Sequence, residues 1–182
     1  PHNIELNDEY GNDKAASIYG MPAEADWKMR NPYSDKCLMN DFLAYEMFEQ
    51  MGNYSCRRQF VEVFINTAAG TKLTYNNYYG VLVFLEKIEV DKDRVNIAEL
   101  TPSHTNEPAI SGGYIFKRDK ASTGDLDFTT VAGTAFKLHD PKPREVNNSV
   151  NHPQVQWLRR YHSTYEACVT GAGWQNRTGT NH

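Results

Sequence analysis

The sequence contains no apolar run that approaches the roughly 20 residues of a membrane-spanning helix, so no membrane span is predicted. It also has no excess of basic residues, because 19 Lys and Arg stand against 23 Asp and Glu, a formal net charge of -4. Proteins that bind nucleic acid usually carry a broad positive field. Nucleic acid is therefore not expected as a partner.

Cysteine is scarce as well, with Cys37, Cys56 and Cys168 only. Three residues are too few, and odd in number, for a disulfide framework. Cys37 and Cys56 flank a predicted helix, which puts them about 25 Å apart at about 1.5 Å per residue, whereas a disulfide needs Cα atoms within about 7 Å. A Cys56–Cys168 pair stays open, and three buried thiols are the preferred interpretation. The six histidines lack zinc-site spacing, so no metal site of His and Cys is predicted.

The common catalytic signatures are missing too: there is no Gly-x-Ser-x-Gly elbow and no Walker loop. One glycine pair, Gly112 and Gly113, opens the segment "SGGYIFKRDK" and could be a phosphate cradle or a tight turn. The pair differs from the spaced glycines of a kinase Gly-rich loop. We therefore prefer a turn that allows a close backbone crossing before a strand.

The 182 residues, 40% of them hydrophobic, are enough for one domain with a proper core. A helix is predicted over "KCLMNDFLAYEMFEQM", with Ser34 or Asp35 as N-cap and Gly52 just past its end. A second helix is predicted after Asn151 and Pro153, with a stop at Gly171. The helical spacing of apolar residues predicts two buried faces: Leu38, Phe42, Leu43, Met47 and Met51 on the first helix, and Val155, Leu158, Tyr165 and Val169 on the second.

Strands are predicted at Gln59 to Asn66 and at Tyr79 to Val90, joined by a long hairpin loop. The second is nearly continuous in apolar residues and should be a central strand. Shorter strands are predicted at Ile4 to Leu6, Arg94 to Ile97, Gly113 to Lys117, Leu126 to Thr130 and Ala135 to His139. The fold class is α+β, an antiparallel sheet with one long helix before it and one after. Residues 1–170 should form this domain and residues 171–182 a Gly, Thr and Asn rich linker or cut end.

Glu86 is the one carboxylate that follows directly on a buried strand. A buried carboxylate needs a cationic or hydrogen-bonding partner. Glu86 is therefore either an acid at the edge of a site or half of an ion pair with a Lys or Arg of a neighbouring strand. Three Asn-x-Ser/Thr triplets, at Asn53, Asn147 and Asn176, are glycosylation sites only if the protein passes through a eukaryotic secretory pathway.

Several segments in order, among them "NIELNDEYG", "RRQFVEVFIN", "YGVLVFLEKIEVDKDRVNI", "SGGYIFKRDK" and "KLHDPKPREV", resemble the CotH kinase family, named after spore coat protein H. The resemblance runs from Asn3 to about Val169. It implies an atypical protein-kinase-like fold that uses ATP with Mg²⁺ or Mn²⁺ to phosphorylate secreted or coat proteins. This chain resembles the N-lobe and connecting segment. Glu86 and Lys87 would then lie near the adenine, and Lys117 would be a candidate on the nucleotide side.

Two departures from the family shape these expectations. Asn40 stands in "LMND" where the family often has Arg, and the family's Asn-x-Asp and Trp-Asp-x-Asp blocks do not occur in these 182 residues. We therefore expect an excised or processed N-terminal part of a secreted, extracellular or cell-surface protein. It would have no catalytic residue of its own, would be inactive alone, and would work with its remaining lobe and other extracellular modules.

An alternative function is a non-catalytic structural or adhesion module of the cell surface built on the same fold. Its contact surface would be the hairpin-loop aromatics Tyr75, Tyr78 and Tyr79, because aromatic residues are enriched at protein interfaces.

Overall fold

The computed structural model describes residues 2–68, 70–120 and 122–171. It confirms the α+β class, with antiparallel sheets and two α-helices. The strands form two sheets rather than the single predicted one, and two strands precede the first helix. The chain divides into two compact units. Unit 1 comprises Pro1–Ile88 and Asp93–Val95, and unit 2 comprises Glu89–Lys92 and the chain from Asn96 onward.

Unit 1 is built on a four-stranded antiparallel sheet in the order β1-β2-β4-β3. The strands are β1 (His2–Glu5), β2 (Asp26–Arg30), β3 (Arg58–Phe64) and β4 (Tyr78–Glu86). As predicted, β4 is an interior strand, and its last five residues are buried. It ends at Glu86, earlier than the predicted Val90.

The alternation of side chains along β4 explains its continuous apolar sequence. Phe84 packs with Trp27 and Met21 on one face of the sheet. Val83 and Leu85 pack with Cys56 on the other face. Successive side chains of a strand point to opposite faces. When both faces are covered, every position is buried and the sequence is apolar throughout.

The first helix, α1 (Asn40–Gln50), is shorter than predicted. Asp35 caps the turn that precedes the helix. Its two carboxylate oxygens accept hydrogen bonds from the backbone N–H groups of Cys37, at 3.0 Å, and Asn40, at 2.7 Å. The helix therefore starts five residues after Asp35. The stop at Gly52 is confirmed, with a positive φ of 85° that favours glycine.

The predicted buried face of α1 is wrong. No residue of the helix is buried, and the side chains of Leu38, Leu43, Met47 and Met51 are exposed. The helix instead packs on the sheet through Phe42 and Tyr45, and the Phe42 ring stacks on Phe60 of β3 with centroids 4.8 Å apart. The Arg58 guanidinium also lies over the Phe42 ring, 4.7 Å from its centroid. This aromatic contact sets the rotation of the helix, so the aliphatic and Met side chains face outward.

One short strand was missed by the sequence analysis, and another was predicted where none forms. The segment "DWKMR" of β2 is strand although three of its five residues are charged, because it is paired with β1 and β4 and its Trp27 is fully buried. The segment Arg94 to Ile97 does not form a strand. Arg94 uses its side chain to bond the backbone of neighbouring segments.

Unit 2 has a three-stranded antiparallel sheet in the order β5-β7-β6, covered by a helix. Its elements are β5 (Ile115–Lys117), β6 (Leu126–Thr129), β7 (Ala135–Asp140) and α2 (Pro153–Thr170). Pro153 occupies the first turn of α2, as predicted, and the His152 ring accepts a hydrogen bond from the Gln154 N–H. Helix α2 ends before Gly171.

The inner face of α2 was only half predicted. Val155 and Leu158 are buried, but Tyr165 and Val169 are exposed. The other buried positions are polar, Gln154 and His162. The Gln154 amide donates to the backbone oxygens of Thr101, at 2.7 Å, and His104, at 3.1 Å. At this position the helix therefore contacts the 101–104 loop through hydrogen bonds rather than through apolar packing.

The glycine pair lies at a close backbone crossing in unit 2. A Cβ on Gly113 would come within 2.5 Å of Ile97 and 2.7 Å of the Ala98 oxygen, whereas one on Gly112 would meet Leu100 at 3.1 Å. The Gly113 N–H donates to that same Ala98 oxygen at 2.8 Å. The geometry is that of the predicted close crossing.

None of the three cysteines is in a disulfide. Cys56 is buried, Cys168 is half-buried and Cys37 is exposed, so the expectation of three buried thiols is wrong for Cys37.

Candidate functional site

The Glu86 carboxylate is fully buried and is held by a defined set of donors. The Arg57 guanidinium donates to its Oε1 at 2.7 Å, and the Arg57 backbone N–H donates to Oε2 at 2.9 Å. The Tyr54 hydroxyl donates to Oε2 at 3.3 Å. The sequence predicted such a partner for Glu86, and the ion pair with an arginine next to the neighbouring strand is what the structure shows.

Strand pairing explains why Arg57 meets Glu86. Arg58 of β3 lies opposite Leu85 of β4 in the antiparallel register, so Arg57 lies beside Glu86. The Arg57 side chain also donates to the backbone oxygen of Asp93 at 2.9 Å, and 43% of it stays exposed. One guanidinium thus joins the buried end of β4 to the segment that follows it and to solvent.

Arg94 is the second cation of this region and is almost completely buried. It donates to the backbone oxygens of Asp26, at 2.7 Å, and Lys87, at 3.1 Å, and its guanidinium lies 5.3 Å from the centre of the Trp27 ring. The planar fork of arginine suits this combination of hydrogen bonds and aromatic contact. Arg94 therefore ties β2 to the segment that leaves β4.

Lys87 follows Glu86 directly but has a different environment. Its ammonium pairs with the Asp26 carboxylate at the start of β2, and 30% of its side chain is exposed. Glu86 and Lys87 are thus neighbours in the chain whose charges are neutralised by different partners. The charged end of β4 presents Lys87 to solvent and keeps the Glu86 carboxylate inside.

Burial, and after it the nearby Glu86 carboxylate, raises the pKa of two groups beside Glu86. Burial, followed by the nearby Cys56 and Glu86, raises the pKa of the Tyr54 phenol well above its usual range. Burial and then Glu86 raise the pKa of the Cys56 thiol to about 11. Both groups therefore stay protonated at neutral pH, and Cys56 is an inert thiol rather than a nucleophile.

Lys117 belongs to unit 2, on β5, and pairs with Asp125 at 3.2 Å. Lys137 of β7 also approaches Asp125, at 3.5 Å, and meets Asp127 at 2.5 Å. Burial alone would raise the pKa of Asp125, but the hydrogen bonds from Lys117 and from the Ser122 backbone and the two lysine charges lower it. Lys117 is thus part of a charged ladder across the sheet of unit 2.

The described residues do not fit a divalent metal. Within residues 2–68, 70–120 and 122–171, no group of three His, Cys, Asp or Glu side chains could hold a metal ion. The Glu86 oxygens are buried and already accept hydrogen bonds from Arg57 and Tyr54. The same part of the chain has no helix long and apolar enough to cross a membrane.

Sequence reasoning missed Tyr54, Arg57 and Arg94. No local signal in the sequence identifies Arg57, because the register of β3 on β4 that places it beside Glu86 comes from the folded structure. Of the predicted glycosylation sites, Asn53 and Asn147 lie on the surface, and Asn176 lies outside the described residues.

The comparison with known families gives the class of this protein. Residues 1–167 match the family model described as CotH kinase protein. Because the match covers most of the 182 residues, the chain belongs to the CotH kinase protein family. Searches of the curated proteins and of the solved structures found no match.

Proposed function

We propose that this chain supplies the nucleotide-side region of a CotH-type atypical protein kinase, which transfers phosphate from ATP to Ser or Thr of secreted or coat proteins. The observation that carries the proposal is the family match over residues 1–167. The location of the protein outside the cell, at a surface or in a coat, belongs to the same proposal.

In this proposal the end of β4 borders the nucleotide. Glu86 has no exposed surface, so it acts as a positioning residue that fixes Arg57 rather than as a ligand. Lys87 lies with Glu86 on the adenine side, and Lys117 of unit 2 is a separate candidate on the nucleotide side. Each would have to leave its carboxylate, Asp26 or Asp125, to reach a nucleotide.

We further propose that the 182-residue polypeptide does not catalyse phosphoryl transfer alone. Such transfer depends on cations placed around the phosphate, and in kinases on metal ions held by Asp and Asn side chains. The family's Asn-x-Asp and Trp-Asp-x-Asp blocks are not among these residues. ATP and Mg²⁺ or Mn²⁺ are accordingly assigned to the assembled kinase and its remaining lobe, together with a protein substrate.

A radiolabelled-ATP assay with Mg²⁺ or Mn²⁺ tests the inactivity of this chain. We expect no incorporation above a control without protein, and clear incorporation would contradict the proposal.

Thermal shift with ATP tests whether the proposed region takes part in nucleotide binding. The melting temperature of a longer protein that includes the missing blocks should rise. Lys87→Ala should reduce that rise, and Lys120→Ala, at an exposed position, should not.

A second candidate function is a non-catalytic surface module that uses the β3–β4 hairpin for contact. It is favoured by the exposure of Tyr75, which is 91%, and of Tyr78 and Tyr79, which are 46% each. Such a module would bind its partner without ATP. If nucleotide never shifts the melting temperature of the longer protein, this candidate replaces the first.

A further inference from the structure

The tip of the β3–β4 hairpin concentrates exposed apolar side chains, some of which touch one another. We call this group the hairpin-tip patch. Tyr75 is 91% exposed and Leu73 is 60% exposed. The Phe64 ring meets Tyr75 edge to face at a centroid distance of 6.4 Å and Tyr78 at 5.2 Å. The patch consists of Phe64, Ile65, Leu73, Tyr75 and Tyr78.

The patch lies in the least charged part of the chain. Between Glu62 and Glu86 the only charged residue is Lys72, which is exposed in the loop. The full sequence is 23% charged, so this stretch has far fewer charges than the chain as a whole. Within this stretch the exposed rings are accompanied by one cation and no carboxylate, which leaves few charges for electrostatic steering of a protein partner.

Part of the loop backbone is hydrogen-bonded within the loop. The Asn77 amide accepts from the Thr74 N–H at 2.8 Å and donates to the Ile65 oxygen at 3.3 Å. The Asn66 amide accepts from the Ala68 N–H at 3.0 Å and donates to the Thr71 oxygen at 2.8 Å. The Ile65 N–H donates to the Asn77 oxygen at 2.9 Å. Each of these bonds pairs a backbone N–H or C=O group. An unpaired group would oppose the transfer of the loop from water to an apolar surrounding.

We propose that the hairpin-tip patch inserts into the boundary between headgroups and acyl chains of a lipid surface. Tyr rings suit this boundary because their bodies are apolar and their hydroxyl groups are polar, and the long stem of Lys72 lets its ammonium reach the headgroups. The protein would lie on the membrane rather than span it. This assigns a partner to the contact surface of the second candidate function and rests on that candidate, not on phosphoryl transfer.

Flotation of the full 182-residue chain with vesicles of phosphatidylcholine alone, and of phosphatidylcholine with phosphatidylglycerol, tests the proposal. The chain should float with both, and high salt should change the bound fraction little, because apolar insertion rather than charge holds it. The double variant Leu73→Ser with Tyr75→Ser should lower the vesicle partition coefficient by about tenfold or more, since it removes two large apolar groups.

The matched control is the double variant Tyr10→Ser with Met51→Ser, which removes two apolar side chains that are 81% and 75% exposed elsewhere in unit 1. It should float like the parent chain. Circular dichroism should be the same for all three proteins. The proposal is overturned if the parent chain stays with the soluble fraction, if both double variants float equally, or if the patch variants lose a protein partner while vesicle binding is unchanged. The ATP thermal shift is a separate measurement. Failure of vesicle flotation therefore leaves the kinase proposal untouched, and failure of the thermal shift leaves the lipid proposal untouched.

Discussion

The Glu86 carboxylate and the Arg57 guanidinium form an ion pair at 2.7 Å, in which the acid is fully buried and the base is 43% exposed. The two residues are 29 positions apart and are brought together by the register of β3 on β4. The Arg57 backbone N–H also donates to Glu86, and the Arg57 guanidinium donates to the backbone oxygen of Asp93. The pair therefore links the end of β4 to the start of β3 and to the segment around Asp93.

Arg57→Ala should destabilise the protein more than Glu86→Gln. Removing one partner of a buried pair leaves a charge in the interior, and we expect a loss of about 3 kcal/mol in the free energy of unfolding. Glutamine keeps an acceptor for Tyr54 and for the Arg57 N–H, so its cost should be about 1 kcal/mol. Urea unfolding measures both. Arg118→Ala, at an exposed arginine, is the control, and equal losses in the two pair variants would contradict the assignment.

Gly113→Ala should be far more disruptive than Gly112→Ala. The new methyl group at position 113 would overlap Ile97 and the Ala98 oxygen, so we expect a loss of about 3 kcal/mol. At position 112 the nearest atom belongs to the Leu100 side chain, which can move, and the loss should stay below about 1 kcal/mol. Thermal unfolding of the two variants compares them. A similar effect at both positions would argue against the backbone crossing.

The Cys37 and Cys56 thiols should react at very different rates. Cys37 is exposed, whereas Cys56 is buried and its pKa is raised to about 11. At pH 8 only about 0.001 of Cys56 is then thiolate, the reactive form. Mass spectrometry after brief iodoacetamide treatment should find label on Cys37 and none on Cys56 until the chain is unfolded in urea. Fast labelling of Cys56 in the folded protein would refute this burial.

Part of the stability of the protein should depend on a neutral His162. Its ring lies 4.3 Å from Phe116 and 4.9 Å from Phe136, and burial lowers its pKa, opposed in part by the charge of Glu166. A lowered pKa in the folded state means that the contribution is complete above the unfolded value of about 6.5 and is lost as the pH falls below it.

His162→Phe should therefore flatten the pH dependence. The free energy of unfolding of the parent chain should fall more between pH 7.5 and pH 5 than that of the variant, when both are measured by urea unfolding. Most other groups titrate alike in both proteins, so the difference between them reports His162 together with its charge interaction with Glu166. Parallel curves for the two proteins would show that His162 is not buried as a neutral ring.

The sequence by itself determined the α+β class, the interior position of β4, the stop at Gly52, the close crossing at the glycine pair and the need of Glu86 for a cationic partner. Each follows from local chemistry: apolar continuity, a glycine backbone or a buried charge. The order of the segments also indicated the family that the comparison over residues 1–167 shows.

The tertiary structure alone decided the rest. The charged segment of β2 forms a strand because two neighbouring strands pair with it. The aliphatic face of α1 points outward because Phe42 stacks on Phe60 of the sheet and Tyr45 packs against the buried residues beside it. The identity of Arg57 as the partner of Glu86 came from strand register. Such outcomes depend on contacts between residues far apart in the chain, and helical or strand periodicity carries no information about which distant side chain will be met.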